Sequence, residues 1–279
     1  MFYLDNRGAL IYAVSDGISY PHGFSTRSGG VSTMEHVASM NFTTSTGDSE
    51  ENVAENFRIF LSALGLEPAS RVSSHQIHSA KVRYVTEADK GKSFDDCDGF
   101  VTDRPGIALV VKTADCVPIL LADAKAGVIA AVHAGWRGTV NGIAPAAIEE
   151  MVKLGAFLEN IRVAIGPCIH ACCFAVRQDF VDAVTAIRGK GFADAHIYRQ
   201  EDSYHADLVS MNVALLAEVG IAPEQIDISA DCTCCAPSIY HSHRATQGKR
   251  GVMAAAIGMA SMEWQGEGLL PLYDESLQR

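Results

Sequence analysis

Three short, almost wholly apolar runs, IALVVK, VPILLAD and GVIAAVH, lie between residues 107 and 133, separated by turn-forming residues. A strand with one wet face alternates apolar and polar side chains, so continuous runs describe strands covered on both faces. Such strands need covering layers, and the chain offers amphipathic helices to make them. In residues 46–65, TGDSEENVAENFRIFLSALG, the apolar side chains Val53, Phe57, Phe60, Leu61 and Leu64 recur at helical spacing. Asp48 with Glu51 three residues on forms a capping signal, and Gly65 ends the run. NGIAPAAIEEMVKLG has Pro145 near its first turn and Gly155 after its end, a helix signature. RQDFVDAVTAI and ADLVSMNVALLAEVG are further amphipathic helices, the second burying Leu208, Met211, Leu215, Leu216 and Val219.

Around these lie more strand segments. VSSHQIHSAKVRYV reads as a strand or strand pair carrying His75 and His78, while IRVAIG and IDISAD are later strands. HGFSTRSGGVS and YHSHRATQGKRG are polar loops. No repeat, low-complexity tract or linker interrupts the chain, which predicts one domain over residues 1–279. Strands with helices outside them make an α/β (α+β) fold. The pattern does not give the strand order.

Composition narrows the function. Lysine and arginine number 22 against 33 acidic residues, a net charge of -11, with no basic block. A nucleic-acid binder or an anionic-membrane binder needs such a block, because phosphate neutralisation dominates that affinity. A small anion held by one or two arginines is still compatible. No apolar run reaches the length of a membrane span, and the N-terminus lacks a secretory pattern, so a soluble cytoplasmic protein is expected. Six of the eight cysteines fall in two groups, Cys168/Cys172/Cys173 and Cys232/Cys234/Cys235. Neither pairs into CxxC…CxxC, so most are expected to be reduced, buried and inert.

Chemistry concentrates in HQIH, TADCVP and AVHAGWRG. Cys116 and His133 are 17 residues apart, one hairpin's length, so adjacent strands bring them side by side. His78 ends a further strand candidate. One thiolate and two imidazoles suit zinc, and three protein ligands with an open position are the pattern of a catalytic site. The three segments form no compact motif, so spacing alone favours a buried cysteine with two hydrogen-bonded histidines.

HQIHSAKV, DGFVTDRPGIALVVKTADCVPILLAD, GVIAAVHAGWRGT, IGPCI and YHSHR resemble the laccase-domain family, whose members were first described as multicopper polyphenol oxidases and later as zinc-dependent purine nucleoside phosphorylases. The resemblance runs from HGFSTRSGG to SHR, and its TADC…HAGWRG core is specific. It implies a single-domain mixed β-sandwich flanked by helices, with a pocket around the metal. It also implies Zn2+ ligands at His78, Cys116 and His133. QIHS stands here where the family commonly has QVHG, and His75 is the second choice for that ligand. The implied activities are phosphorolysis of adenosine, inosine and S-methyl-5'-thioadenosine, with hydrolytic deamination of adenosine. The implied partners are purine nucleosides and phosphate; the sequence does not give the oligomeric state, and monomer and homodimer are both open.

Phosphate beside the sugar calls for arginine, through its bidentate fork. Candidates are Arg27, Arg137 and Arg244, each equally suited to a surface salt bridge. Asp115, next to Cys116, is a candidate to orient a ligand histidine or act as a base, and equally to accept hydrogen bonds in a turn. His241 and His243 are candidates for the pocket wall, and Cys168 reads as structural. Two other chemistries compete. A copper oxidase needs repeated HxH pairs, and ten histidines with a single such pair, His241 and His243, are too few for copper. A cysteine hydrolase would use Cys116 and His133 as nucleophile and base, with no need of His78. A non-enzymatic protein with a purely structural zinc would have no use for an open position.

Overall fold

A computed structural model describes residues 1–200 and 203–259, so the end of the expected 1–279 domain lies outside the described residues. Two sheets stack face to face. The first has seven strands in the order β1 (Phe2–Arg7), β2 (Leu10–Ser15), β3 (His22–Ser25), β16 (Met253–Gly258), β8 (Ala108–Thr113), β4 (Arg71–Ser74) and β6 (Ser93–Phe94). The second has six, in the order β15 (Ile226–Ile228), β11 (Arg162–Ile165), β9 (Val117–Asp123), β10 (Val128–Ala134), β7 (Gly99–Thr102) and β5 (Val82–Tyr84). A small third sheet pairs β12 (Ala175–Val176), β14 (Ser203–Ala206) and β13 (Ile197–Gln200).

The helices complete the layers. They are α1 (Glu50–Ala63), α2 (Trp136–Val140), α3 (Ile143–Lys153), α4 (Gln178–Arg188), α5 (Lys190–His196) and α6 (Leu208–Glu218). Phe57, Phe60 and Leu61 of α1 pack on Tyr12, Ala108, Val110, Ala254 and Ala256, the outer face of the first sheet. Each such side chain, fully buried, stabilises the fold by roughly 1.5–3 kcal/mol. Leu109, Val111, Ala255 and Ile257 point the other way and meet Phe100, Leu120, Ile129 and Ala131 between the sheets. The remaining face of the second sheet, with Ile119, Leu121, Ala130 and Val132, is covered by Ile148 and Met151 of α3, Val184 of α4 and Met211 of α6. The architecture is therefore a β-sandwich with helices on both outer faces. Every residue of β9 and β10 is buried, which is why their sequences show no polar alternation.

Three details differ from the sequence reading. Ser49, not Asp48, caps α1 by accepting the Asn52 N–H at 3.1 Å. Asp48 instead accepts from Ser32, Asn41 and Asn52, tying the polar loop to the helix. His75 and His78 lie on neither strand but on the connection between β4 and β5, which leaves one sheet for the other. Only Cys97, Cys168 and Cys232 are buried, while Cys172 and Cys235 are exposed, because those two sit on turns outside the layers.

Candidate metal centre and adjoining basic cavity

The strand register explains how Cys116 and His133 meet. β9 and β10 form an antiparallel hairpin in which Val117 opposes Ala134 and Pro118 opposes His133. Side chains alternate, so residues 129, 131 and 133 of β10 face the other sheet, as do 118, 120 and 122 of β9. One step back along the same alternation, Cys116 falls on that face too, at the end of the sandwich. The chain reaches it from β8 of the opposite sheet through residues 114–116, where Asp115 takes a φ of 88°. A non-glycine residue there is strained by about 1–3 kcal/mol and needs outside support. The Asp115 carboxylate finds it by accepting the Thr233 hydroxyl at 2.7 Å and the Arg244 backbone N–H at 2.6 Å.

His78 arrives on the β4–β5 connection, also with a positive φ, 60°. Asp98, buried just before β7, shapes this turn. Its carboxylate accepts the backbone N–H groups of Ile77, His78 and Ser79 at 3.2, 2.9 and 2.7 Å and the Ser79 hydroxyl at 2.8 Å. The same carboxylate accepts Nδ1–H of His133 at 2.9 Å, so Nε2 is the nitrogen left to ligate a cation once it is deprotonated. Upstream, Gln76 clamps both backbone groups of Lys112, at 2.7 and 2.6 Å, fixing the connection to β8.

The ligand atoms of His78, Cys116 and His133 all lie within 4.8 Å of one another. Cys116 Sγ is 3.9 Å from His78 Nε2, and the two imidazoles meet edge to face with centroids 4.9 Å apart. Gly135 leaves the space: a Cβ there would stand 2.6 Å from His78 Cδ2 and 3.4 Å from Cys116 Sγ. Two imidazoles, one thiolate, a carboxylate behind one imidazole and room in front fit a zinc-type cation with an open position.

The electrostatics describe a thiolate–imidazolium pair, Cys116 with His133, from which a binding cation would displace the imidazolium proton. Burial alone would raise the Cys116 thiol, but the charge and hydrogen bond of His133, helped by His78, bring it down to about 6. Burial alone would lower His133, but the charge of Cys116 and the hydrogen bond to Asp98 raise it to about 9. Asp98, desolvated by burial yet hydrogen-bonded to His133 and Ser79, titrates near 2.

Next to this centre lies a basic cavity of about 360 Å³, lined by Arg27, Glu35, His36, His241, Ser242, Thr246, Lys249 and Arg250. Arg250 also borders the cavity that contains His75, His78, Lys112 and His133. Its Nε is buried with no hydrogen-bond partner in the protein.

The sequence candidates are thus sorted. His78, Cys116 and His133 come together. The carboxylate that orients His133 is Asp98, not Asp115. Arg27 lines the basic cavity while its guanidinium donates to the carbonyls of Ala38 and Pro237. Arg244 reaches elsewhere, donating to the carbonyls of Cys173 and Ala175 at 3.0 Å each, and Arg137 lies over the Trp136 indole at 4.3 Å. His243 is exposed on a turn closed by Gly248, whereas His241 is buried, donating from Nε2 to the Met40 carbonyl and accepting the Gly251 N–H at Nδ1. Sequence reasoning missed Asp98, Lys249 and Arg250. Asp98 stands among DDCDG acids that look like any turn, and the two cations stand in a loop that looks like any surface.

The chain matches, over residues 21–260, the family described as multi-copper polyphenol oxidoreductase laccase. A purine nucleoside phosphorylase from Deinococcus radiodurans is 36% identical over 248 residues, 89% of this chain and 92% of that protein. Adenosine deaminase RL5, from an unknown prokaryotic organism, is 33% identical over 236 residues, 79% of this chain and 87% of that one. The crystal structure of the Bacillus licheniformis hypothetical protein YfiH superposes with a TM-score of 0.85 at 29% identity, covering 92% of this chain and 98% of that chain.

Proposed function

The chain belongs to the family described as multi-copper polyphenol oxidoreductase laccase, and from that premise we propose that it is a zinc-dependent purine nucleoside phosphorylase. Its substrates are adenosine, inosine and S-methyl-5'-thioadenosine, each cleaved by phosphate, and it also deaminates adenosine. The observation that carries this reading is the position of Arg250, which borders both the three-ligand centre and the basic cavity. Phosphorolysis needs such a pairing, because a phosphate oxygen must reach C1′ as the bond from C1′ to the purine nitrogen breaks.

In this reading Arg27, Lys249 and Arg250 bind the phosphate, and the half-buried setting of Arg250, with its Nε out of contact with solvent, strengthens its pull on an anion. His78, Cys116 and His133 hold the zinc, with Asp98 fixing the tautomer of His133. Zinc supplies Lewis acidity at the purine end of the substrate. Gly135 keeps that end open. Among the described residues, the only groups of three or more metal-binding side chains are this one and a four-cysteine cluster, too little histidine for a copper oxidase.

One observation favours a second reading. Cys116, His133 and Asp98 also form a nucleophile, base and orienting carboxylate, which would serve a cysteine hydrolase. A single experiment separates the two. Phosphate-dependent release of hypoxanthine from inosine is measured on the purified protein, after chelation, and after zinc is restored. Activity that needs phosphate and returns with zinc is expected. Turnover that needs no phosphate, persists in metal-free protein and ends on alkylation of Cys116 replaces the phosphorylase with the hydrolase.

A further inference from the structure

The four-cysteine cluster shares no residue with the centre just described. Sγ atoms of Cys172, Cys173, Cys232 and Cys235 lie within 4.8 Å of one another. Three of the six separations are 3.8 Å (Cys172 to Cys173), 3.6 Å (Cys172 to Cys235) and 3.4 Å (Cys173 to Cys235). A disulfide would draw two sulfurs to about 2.05 Å. Four sulfurs on a tetrahedral zinc, with bonds of about 2.3 Å, stand about 3.8 Å apart. The three measured spacings are far too long for a disulfide and close to the second arrangement.

From these distances we propose that Cys172, Cys173, Cys232 and Cys235 bind a second, structural zinc ion as a closed tetrathiolate site. The backbone supports it on both sides. One turn, in which Cys173 and Phe174 N–H both donate to the His170 carbonyl, presents the adjacent pair. The other turn, in which Cys235 and Ala236 N–H both donate to the Cys232 carbonyl, presents a C-x-x-C pair. The His170 N–H points at Cys232 Sγ from 3.4 Å, a donor suited to a thiolate. Four thiolates on one divalent ion carry excess negative charge, and the Arg244 guanidinium sits on the carbonyls of Cys173 and Ala175 beside it. Four sulfurs leave no open position, so this ion does no chemistry.

Its role is to join two loops. The residues from Ser229 to Arg244 carry Thr233 and the Arg244 N–H, which hold Asp115 next to Cys116, and His241 and Ser242, which line the basic cavity. A zinc clamp between this loop and the Cys172–Cys173 turn fixes the rim of the neighbouring centre from outside it.

The test is metal stoichiometry on the full chain. Zinc is measured in the wild type, in His78→Ala and in the Cys172→Ser/Cys235→Ser double variant. About two zinc ions per chain are expected in the wild type and about one in each variant. Cobalt loading guards against a double variant that does not fold. His78→Ala loaded with Co2+ is expected to show the strong thiolate-to-cobalt absorption of a four-sulfur tetrahedral site, because the other centre has lost a ligand. About one zinc in the wild type, with no such absorption in cobalt-loaded His78→Ala, overturns the site. So does a mass deficit that maps a disulfide to these cysteines, or iron, sulfide or copper found at them in place of zinc.

Discussion

Asp98 and His133 meet twice: Nδ1–H of the imidazole donates to the carboxylate at 2.9 Å, and the His133 backbone N–H donates to the Asp98 carbonyl at 2.7 Å. The first contact fixes the ring and the second fixes the strand that carries it. The same carboxylate also gathers the backbone around His78, so one acid positions two of the three ligand side chains.

Replacing it therefore weakens metal binding without removing a ligand. Asp98→Asn keeps the size but turns one acceptor into a donor, which conflicts with the His133 Nδ1–H and the N–H groups of residues 77–79. Metal affinity is expected to fall about 10- to 100-fold, the range for losing such a partner. Competition with a chromophoric chelator reads it, and unchanged affinity would show that Asp98 does not orient the site.

Without metal, Cys116 is expected to react as a thiolate near neutral pH. Its pKa is depressed to about 6, so thiolate is present above that pH and is lost as pH falls through it. At pH 7 it is mostly ionised, where an ordinary thiol is a few per cent so. Iodoacetamide labelling of chelated protein, followed peptide by peptide, is expected to give a midpoint near 6 for Cys116. A midpoint near 8.5, the ordinary value for cysteine, would refute the ion pair with His133.

At Gly135 the constraint is space, not backbone conformation, because its φ is -63°. Gly135→Ala places a methyl group against the His78 ring and Cys116 Sγ. The fold is expected to survive with an unchanged melting temperature when metal-free, while zinc dissociates on the order of tenfold faster as His78 is displaced. Equal dissociation rates would mean that the ring moves aside at no loss.

Arg250→Ala removes the cation shared by the two cavities. A charged hydrogen bond contributes about 1.5–3 kcal/mol, so KM for phosphate is expected to rise roughly 10- to 150-fold. Arg244→Ala, whose guanidinium holds the Cys173 turn, is the comparison. Equal effects of the two on KM for phosphate would argue against a direct role for Arg250.

Much of this was legible in the sequence. Apolar runs gave the two-sided strands, helical spacing gave α1, α3, α4 and α6, and a hairpin's separation brought Cys116 to His133. What stayed hidden depends on contacts between distant segments. Asp98 acts on residues 35 positions later and about 20 earlier, with no local pattern to single it out. The four-cysteine cluster joins turns some 60 residues apart, and each group contains a cysteine, Cys168 or Cys234, that is not among the four, which obscures the pairing. Arg250 is identified only by what encloses it.

The place of β16 in the first sheet bears on how the molecule is made. It lies between β3 and β8 and pairs antiparallel with each, through Ala255 with Phe24 and Ala255 with Val111. While the chain is being synthesised, strands made early and midway must wait for residues 253–258 to leave the ribosome before that sheet closes. Until then β3 and β8 each present an unpaired edge, which favours association with other chains. A ribosome that stalls shortly before residue 253 releases a product with all six helices of the described residues and both loops of the centre, yet with its first sheet split in two.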